Sequence, residues 1–351
     1  MTVRKVTVYG AYGHTGRFIV AELVRRGIKP ILSGRHAAKL RRLGDAFPGS
    51  EIRGASIDDA LSLDRAIDGA AAIINCAGPF LDTAPNLIEA ALRSGVHYLD
   101  VTAEQKVVLD AFEKYAKAAQ DAKIVIAPAI AFYGGLADLL ATAAMRDWAE
   151  ADEISIAVAL DNWWPTSGTR LTGKRNTFRR FTLSNGRLEF LADPPPTRMW
   201  SFPESFGIQE VVALPFSEII TISRHLPATE IHSYINLAPL NNLRDPDTPE
   251  PVAADETGLS AQRFVMEVIV RKDGGERRAR ATGRDIYAIT APIIVEATQR
   301  IIDDHITRVG VATAGELFDA ERFLQALSGS YPFLEIQVER SETKIGVSGN
   351  K

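Results

Sequence analysis

The stretch that most restricts the fold lies at the start of the chain. An apolar run, Val3 to Tyr9, meets Gly10-Ala11-Tyr12-Gly13-His14-Thr15-Gly16, and an amphipathic segment, Phe18 to Arg26, follows at once. That order reads as a β-strand, a tight glycine turn and a helix start, the unit that receives the pyrophosphate of a dinucleotide. Gly10 takes the backbone angles of the turn, Gly13 lets the main chain approach the phosphates, and Gly16 lets the helix pack close to the strand. The anion sits where free N–H groups and the helix dipole favour negative charge, with Tyr12, His14 and Thr15 completing the loop. The spacing is GxxGxxG rather than GxGxxG, a looser variant that plain β-turn-α connections also show. The flanking strand and helix favour the binding reading.

The second strand, Pro30-Ile31-Leu32, ends in Ser33-Gly34-Arg35. An Asp or Glu at this point would hold a ribose 2′-hydroxyl, whereas an Arg accommodates a 2′-phosphate. A guanidinium binds that phosphate in a forked, charge-assisted pair. Ser33 offers one more hydrogen bond, and Lys39 lies one helical turn further on. The alternative for Arg35 is a cap on a surface turn. NADP is the expected cofactor. Ile57-Asp58-Asp59, after the third strand, is expected to form an adenine-side loop, with Asp58 among the binding residues.

As far as Ala127 short apolar strands alternate with amphipathic helices, the pattern of a parallel sheet. Strands are expected near Glu51, at Ala72 to Ala77, Tyr98 to Val101 and Ile124 to Ala127. Helices are expected at His36 to Phe47, Ser62 to Ile67, Asn86 to Ser94 and Gln105 to Asp121, with another opening at Gly134-Gly135 and reaching about Trp148. Beyond residue 150 the pattern changes. Ser184-Asn185-Gly186 and Asp273-Gly274-Gly275 sit between alternating runs and predict two hairpins. Helical spacing returns over Ala291 to Asp303. The fold class is therefore α/β: a Rossmann-type doubly wound parallel sheet with an inserted α+β, largely antiparallel, second domain. The expected units are 1–148 for the dinucleotide, 149–286 for substrate and dimer contacts, and 287–351 for helices returning to the first sheet. A cleft between domains is where a small-molecule substrate would sit.

Composition narrows the partners. A net charge of −4 argues against a general nucleic-acid or membrane-surface partner. No apolar run approaches a membrane span. With a strand starting at residue 3, no signal peptide is expected, and the single cysteine, Cys76, fits a reducing, cytoplasmic compartment. Six scattered histidines show no metal-ligand spacing, so no metal is expected. The loop from Arg244 to Glu256 reads as exposed, and the Ser-Gly-Asn tail as frayed.

Several of these motifs together resemble the saccharopine dehydrogenase-like NADP-binding family. They are Gly10 to Gly16, Ser33-Gly34-Arg35, Ile74-Asn75-Cys76-Ala77-Gly78-Pro79-Phe80, and Glu89-Ala90-Ala91 through Gly95-Val96-His97-Tyr98-Leu99-Asp100-Val101-Thr102. A weaker echo is Gly310 to Glu316. The resemblance implies a reductase moving hydride between NADPH and a C=N, C=O or C=C bond, and an inserted sheet that shapes the substrate pocket and supports a homodimer. Two departures, a shorter chain and Ala129-Ile130-Ala131-Phe132-Tyr133 in place of a glycine-rich loop, bear on the substrate.

Hydride transfer needs geometry first. Cys76, Ala77, Gly78, Pro79 and Phe80, at the end of the fourth strand, are where the nicotinamide ribose is expected to pass. Cys76 reads as a small packing residue rather than a nucleophile. Reduction also needs a proton donor, for which Asp100, Glu104 and Tyr133 are candidates, with Asp100 and Tyr133 in front. The structural alternatives are a helix cap for Asp100 and a half-buried rim aromatic for Tyr133. Asn162-Trp163-Trp164-Pro165 suits a lid or an apolar wall. Arg170, Lys174, Arg175, Arg179 and Arg180 form a basic run that either holds a substrate anion or is a solvated hairpin face. The leading reading is an NADPH-dependent reductase acting on C=N or C=O. An enoyl reductase and a non-catalytic NADP(H)-sensing regulator are the alternatives.

Overall fold

Val6 to Tyr9 are buried without a break, which makes β1 (Lys5–Tyr9) a central strand in the computed structural model, where residues 4–203 and 206–339 are described. Val3 and the Ser-Gly-Asn tail lie outside the described residues. After β1 come α1 (His14–Arg25), β2 (Lys29–Gly34), α2 (Ala37–Ala46), β3 (Glu51–Gly54), α3 (Ala60–Ile67) and β4 (Ala72–Asn75). The pattern continues with α4 (Phe80–Ser94), β5 (His97–Asp100), α5 (Gln105–Asp121) and β6 (Val125–Ala127). The strands are parallel in the order 3-2-1-4-5-6, so the chain reverses direction of winding between β1 and β4. In such sheets the crevice outside the carboxyl ends at that switch point takes the ligand.

Helix α4 begins at Phe80, six residues before the expected start. Its first turn is held from a distance, because the Glu104 carboxylate accepts the Phe80 N–H at 2.8 Å. Its end is as expected: Gly95 has φ +66° and closes the helix in the left-handed conformation. After β6 the chain makes one π-helical turn, Phe132–Leu136, before α6 (Ala137–Met145). The glycines expected to open this helix lie inside that turn. A Cβ on Gly134 would stand 2.4 Å from the Ala129 carbonyl oxygen.

The second sheet is built from β7 (Ala151–Leu160), which α7 (Ser167–Arg175) follows, then β8 (Phe181–Ser184), β9 (Arg187–Phe190), β10 (Thr197–Ser201) and β11 (Ile208–Ala213). After α8 (Glu218–Ser223) come β12 (Ala228–Asn236), α9 (Ala238–Arg244), β13 (Arg263–Lys272) and β14 (Gly275–Arg284). Both predicted hairpins form. Asn185 and Gly186, and Asp273 and Gly274, all have positive φ, as two-residue hairpin turns require. Pairing is antiparallel throughout except between β12 and β7.

The chain ends by serving both sheets. After α10 (Thr290–Ile302), β15 (Gly310–Val311) adds a seventh strand beside β6. Past α11 (Ala314–Leu317) and α12 (Ala320–Ser330), β16 (Leu334–Val338) pairs with β14. The last stretch is thus more than helices returning to the first sheet.

Helix α6, packed on β13 and β14 of the second sheet and on α8, α11 and α12, is buried almost all round. Its one charged residue, Asp138, is fully buried, and its carboxylate meets His225 Nε2 at 2.6 Å and the Gly315 N–H at 2.8 Å. Burial lowers the His225 pKa, but the charge and hydrogen bond of Asp138 and the charge of Glu316 together outweigh it, so the folded value lies above the usual 6.5. The stability from this pair is fully present below pH 6.5 and is lost as pH rises through the folded value. Asp138→Asn should therefore cost about 3 kcal/mol near pH 6 and less at pH 9, read as a lower denaturation midpoint with unchanged slope.

Candidate active site

The glycine turn stands at the crevice between β1 and β4. Gly10 has φ +83°, and its N–H and that of Ala11 donate to the Ser33 carbonyl at 2.9 and 3.2 Å. A Cβ on Gly10 would lie 3.0 Å from the Ala77 nitrogen, and one on Gly16 would lie 2.4 Å from the Gly10 oxygen. Hydrogen at these positions is what lets β1, α1 and the loop after β4 close on one another. Gly13 is the N-cap of α1 and supplies no side-chain cap, and the first turn holds no acid. The leading N–H groups of a three-turn helix thus remain free for an anion. His14 turns away from this loop, edge-on to Phe18 and Tyr287, and burial lowers its pKa.

A cationic corner forms at the end of β2. Tyr12 lies against Gly34, where a Cβ would meet its ring at 2.8 Å. Lys39 Nζ is 5.6 Å from the centre of that ring, and the His36 ring is 5.8 Å away. Arg35 is exposed, with Nε 3.2 Å from His36 Nε2. Among the described residues neither Arg35 nor Lys39 forms an ion pair, so both charges are free for a phosphate. Ser33 departs from expectation: its hydroxyl is buried without a partner, because the residue sits inside the sheet between Tyr9 and Arg53. Asp58 is exposed in the turn after β3.

Beyond the crevice, the strand ends and the second domain enclose a cavity of about 780 Å³. Thr15, Cys76, Gly78 and Phe80 line it from the first domain, and Trp163, Phe216 and Tyr287 from the other side. Ala77 and Pro79 are not on its wall. Ala77 is fixed by its N–H to Asn75 Oδ1, and Pro79 is the N-cap of α4. Helix α7 lies over Gly78, with Thr172 Oγ1 2.6 Å from where a Cβ would stand. Burial pushes the Cys76 thiol far above its ordinary range, so it is a neutral packing group.

The three proton-donor candidates have different surroundings. Asp100 is fully buried, outside the cavity lining, and saturated. It accepts the Thr102 N–H (3.0 Å), the Ala129 N–H (2.8 Å) and the Tyr98 hydroxyl (2.9 Å). Burial raises its pKa to about 6, and the three hydrogen bonds limit the rise. It ties β5 to the loop after β6, a structural part rather than a donor facing substrate. Glu104 lines the cavity. One oxygen accepts the Phe80 N–H, while Oε2 is buried without a partner. Burial raises its pKa to about 7. Tyr133 also lines the cavity, its hydroxyl buried and unpartnered, and burial raises its pKa well above 10.

The basic run divides rather than forming one hairpin face. Arg175 pairs with Asp82 at 2.9 Å, Arg179 covers the Phe190 ring, and Arg170, Lys174 and Arg180 line the cavity. Trp163 is a wall residue, its Nε1 donating to the Tyr287 hydroxyl at 2.9 Å. Sequence reasoning missed Tyr287 and Gln105. No motif marks either one, and only the fold brings them to the cavity and to the strand beside it.

A doubly wound sheet with an uncapped glycine-turn helix and a cationic corner at the end of β2 defines a dinucleotide-binding protein. Residues 6–127 match the family model for the saccharopine dehydrogenase NADP binding domain, so this part of the chain is similar to an NADP-binding domain. The chain is similar to a lipid droplet localized protein of Caenorhabditis elegans, 27% identical over 146 residues, covering 38% of this chain and 34% of that protein. It is also similar to the human saccharopine dehydrogenase-like oxidoreductase, 28% identical over 152 residues, covering 38% and 35%. The matches span about a third of the length of these relatives. Among solved structures, apo saccharopine dehydrogenase (L-Glu forming) of Saccharomyces cerevisiae shares the fold across 96% of this chain and 100% of that one. Its TM-score is 0.67 at 12% identity.

The cationic corner carries a direct expectation. Arg35→Ala should weaken NADPH by about 1.5–3 kcal/mol in a fluorescence titration, and NADH far less. Equal losses for both would remove the 2′-phosphate assignment.

Proposed function

We propose that this chain is an NADPH-dependent oxidoreductase of the saccharopine dehydrogenase-like group. In this reading it reduces a C=N or C=O bond of a small metabolite in the cavity, with Glu104 as proton donor. The observation that carries the reading is the unpartnered Oε2 of Glu104 on the cavity wall, beside Gly78 and Phe80. When bound, NADPH supplies the hydride. Hydride arrival leaves an electron pair on nitrogen or oxygen, which needs a proton from a group poised near neutral pH. Glu104 is poised there, because enclosure disfavours its charged form more than the Phe80 N–H favours it. The residues that would hold the cofactor are Gly10, Gly13 and Gly16 through their backbone, Arg35 and Lys39 through charge, and Gly78 by leaving room. Helix α7, which lies over Gly78, would cover the reacting end.

The same reading includes a homodimer in the cytoplasm. Met199 and Ile208, exposed on the edge ribbon of β10 and β11, support a subunit contact. The single cysteine supports a reducing compartment. Among the described residues no helix is long and apolar enough to cross a membrane.

The test is NADPH oxidation with a panel of imines and carbonyls. Glu104→Gln should keep NADPH binding and lower turnover by about 100-fold. Wild-type turnover should fall as pH rises past about 7, where the donor loses its proton. Stability should carry the same signature. With a folded pKa above the usual 4.5, the contribution of Glu104 is full below pH 4.5 and is lost as pH rises through about 7; Gln removes that slope. Asp100→Asn should turn over normally per folded molecule but unfold earlier. If Glu104→Gln turns over like wild type, another donor must be sought.

A further inference from the structure

The walls of the cavity carry a charge pattern that the proton donor does not explain. Glu104 is the one acid among the residues lining it, against four cations, Arg170, Lys174, Arg180 and Arg244. Three of these are accounted for. Arg170 donates to the Asp245 and Thr248 carbonyls, and Lys174 and Arg244 are exposed at the mouth. Arg180 is different. It is half-buried, its guanidinium lies 4.6 Å from the Phe216 ring, and one N–H donates to the Pro215 carbonyl at 2.6 Å. No carboxylate among the described residues is within ion-pair distance of it, although the buried Glu218 lies near enough to favour its charge. Tyr133 packs on the same Phe216 ring at 4.3 Å, with its buried hydroxyl unpartnered. Enclosed donors without acceptors are costly unless a ligand or water completes them.

We propose that the cavity takes an apolar-bodied monocarboxylate that bears the reducible bond, its carboxylate held by Arg180 and Tyr133. This rests on the oxidoreductase reading and names its substrate class. The remaining edge of a guanidinium fork fits a planar carboxylate, and a tyrosine hydroxyl can donate to the same group. Trp163, Phe132, Phe216 and Tyr287 then face the apolar body. A zwitterionic amino acid fits less well, since the cavity lining sets four cations against one acid.

The span between carboxylate and reacting atom is set by Gln105. Its side chain donates to the Phe181 carbonyl at 2.8 Å and accepts the Phe181 N–H at 2.7 Å. The neighbour of Glu104 is thereby pinned to the neighbour of Arg180.

The test is calorimetric binding of 3-phenylpropanoate, 3-phenylpropanamide and L-phenylalanine to the full chain, with and without NADP⁺. The acid should bind about tenfold or more tightly than the amide and the amino acid. Arg180→Gln should bring acid and amide together, Tyr133→Phe should narrow the gap, and Arg224→Gln, on Phe112 away from the cavity, should leave it unchanged. Acid and amide binding alike in the wild type, an acid preference that survives Arg180→Gln, or no binding of any of the three would overturn the proposal. If Arg180→Gln fails to fold, the wild-type comparison and Tyr133→Phe still decide. Binding needs no turnover, so the two readings fail separately. Arg180-dependent acid binding with no NADPH oxidation by any substrate sinks the reductase; reduction with no acid preference sinks only the substrate class.

Discussion

One buried carboxylate, that of Asp138, conditions the rest of this structure. Helix α6 is apolar on nearly every side because the second sheet, α8, α11 and α12 all pack on it. An ionisable group in such a place is tolerated only with partners. Asp138 finds them on His225, just past α8, and on the main chain at Gly315, in α11. Close packing enforces the arrangement, since a Cβ on Gly315 would sit 2.3 Å from the His225 ring. At the other end of α6 the Met145 carbonyl accepts from Arg277 of β14 at 2.8 Å. Helix α6 is thus tied to the end of α8, to α11 and to the second sheet through polar contacts with fixed geometry.

Within that frame, two carboxylates four residues apart acquire different roles from their hydrogen bonds. Asp100 and Glu104 are both buried, and burial raises both. Asp100 spends both oxygens on three donors and serves as a staple. Glu104 spends one oxygen on the start of α4 and keeps the other free. A free, enclosed oxygen is a liability for stability and an asset for proton transfer, since the neutral form persists to about pH 7.

The cofactor half of the molecule was legible from sequence because it is specified by backbone. Gly10 and Gly16 must be glycine for steric reasons that hold in any chain folding this way, and the absence of an acid beside Arg35 reads directly as charge. Other elements left no such trace. A two-residue strand, Gly310–Val311, has no periodicity to detect, and β16 pairs with residues 51 to 59 positions earlier. The early start of α4 depends on an acid 24 residues further on. The sequence put Asp100, at the end of β5, ahead of Glu104 four residues on, because only three-dimensional partners separate them. The basic run showed charges but not which ones turn inward.

That division also locates specificity. The family match ends at residue 127, near the last strand that the cofactor crevice needs. Most of the cavity wall comes afterwards, from Ala131 to Thr290, and consists of side chains. Backbone recognition of a pyrophosphate tolerates few changes, because a single Cβ closes the approach. A wall of aromatic and aliphatic side chains can be reshaped by single substitutions without disturbing the sheets behind it. On the proposed function, the chemistry of hydride transfer is therefore tied to the first domain, and the choice of what is reduced to the second. The Gln105–Phe181 clamp is the point where the two are joined, because it ties the neighbour of Glu104 to the neighbour of Arg180.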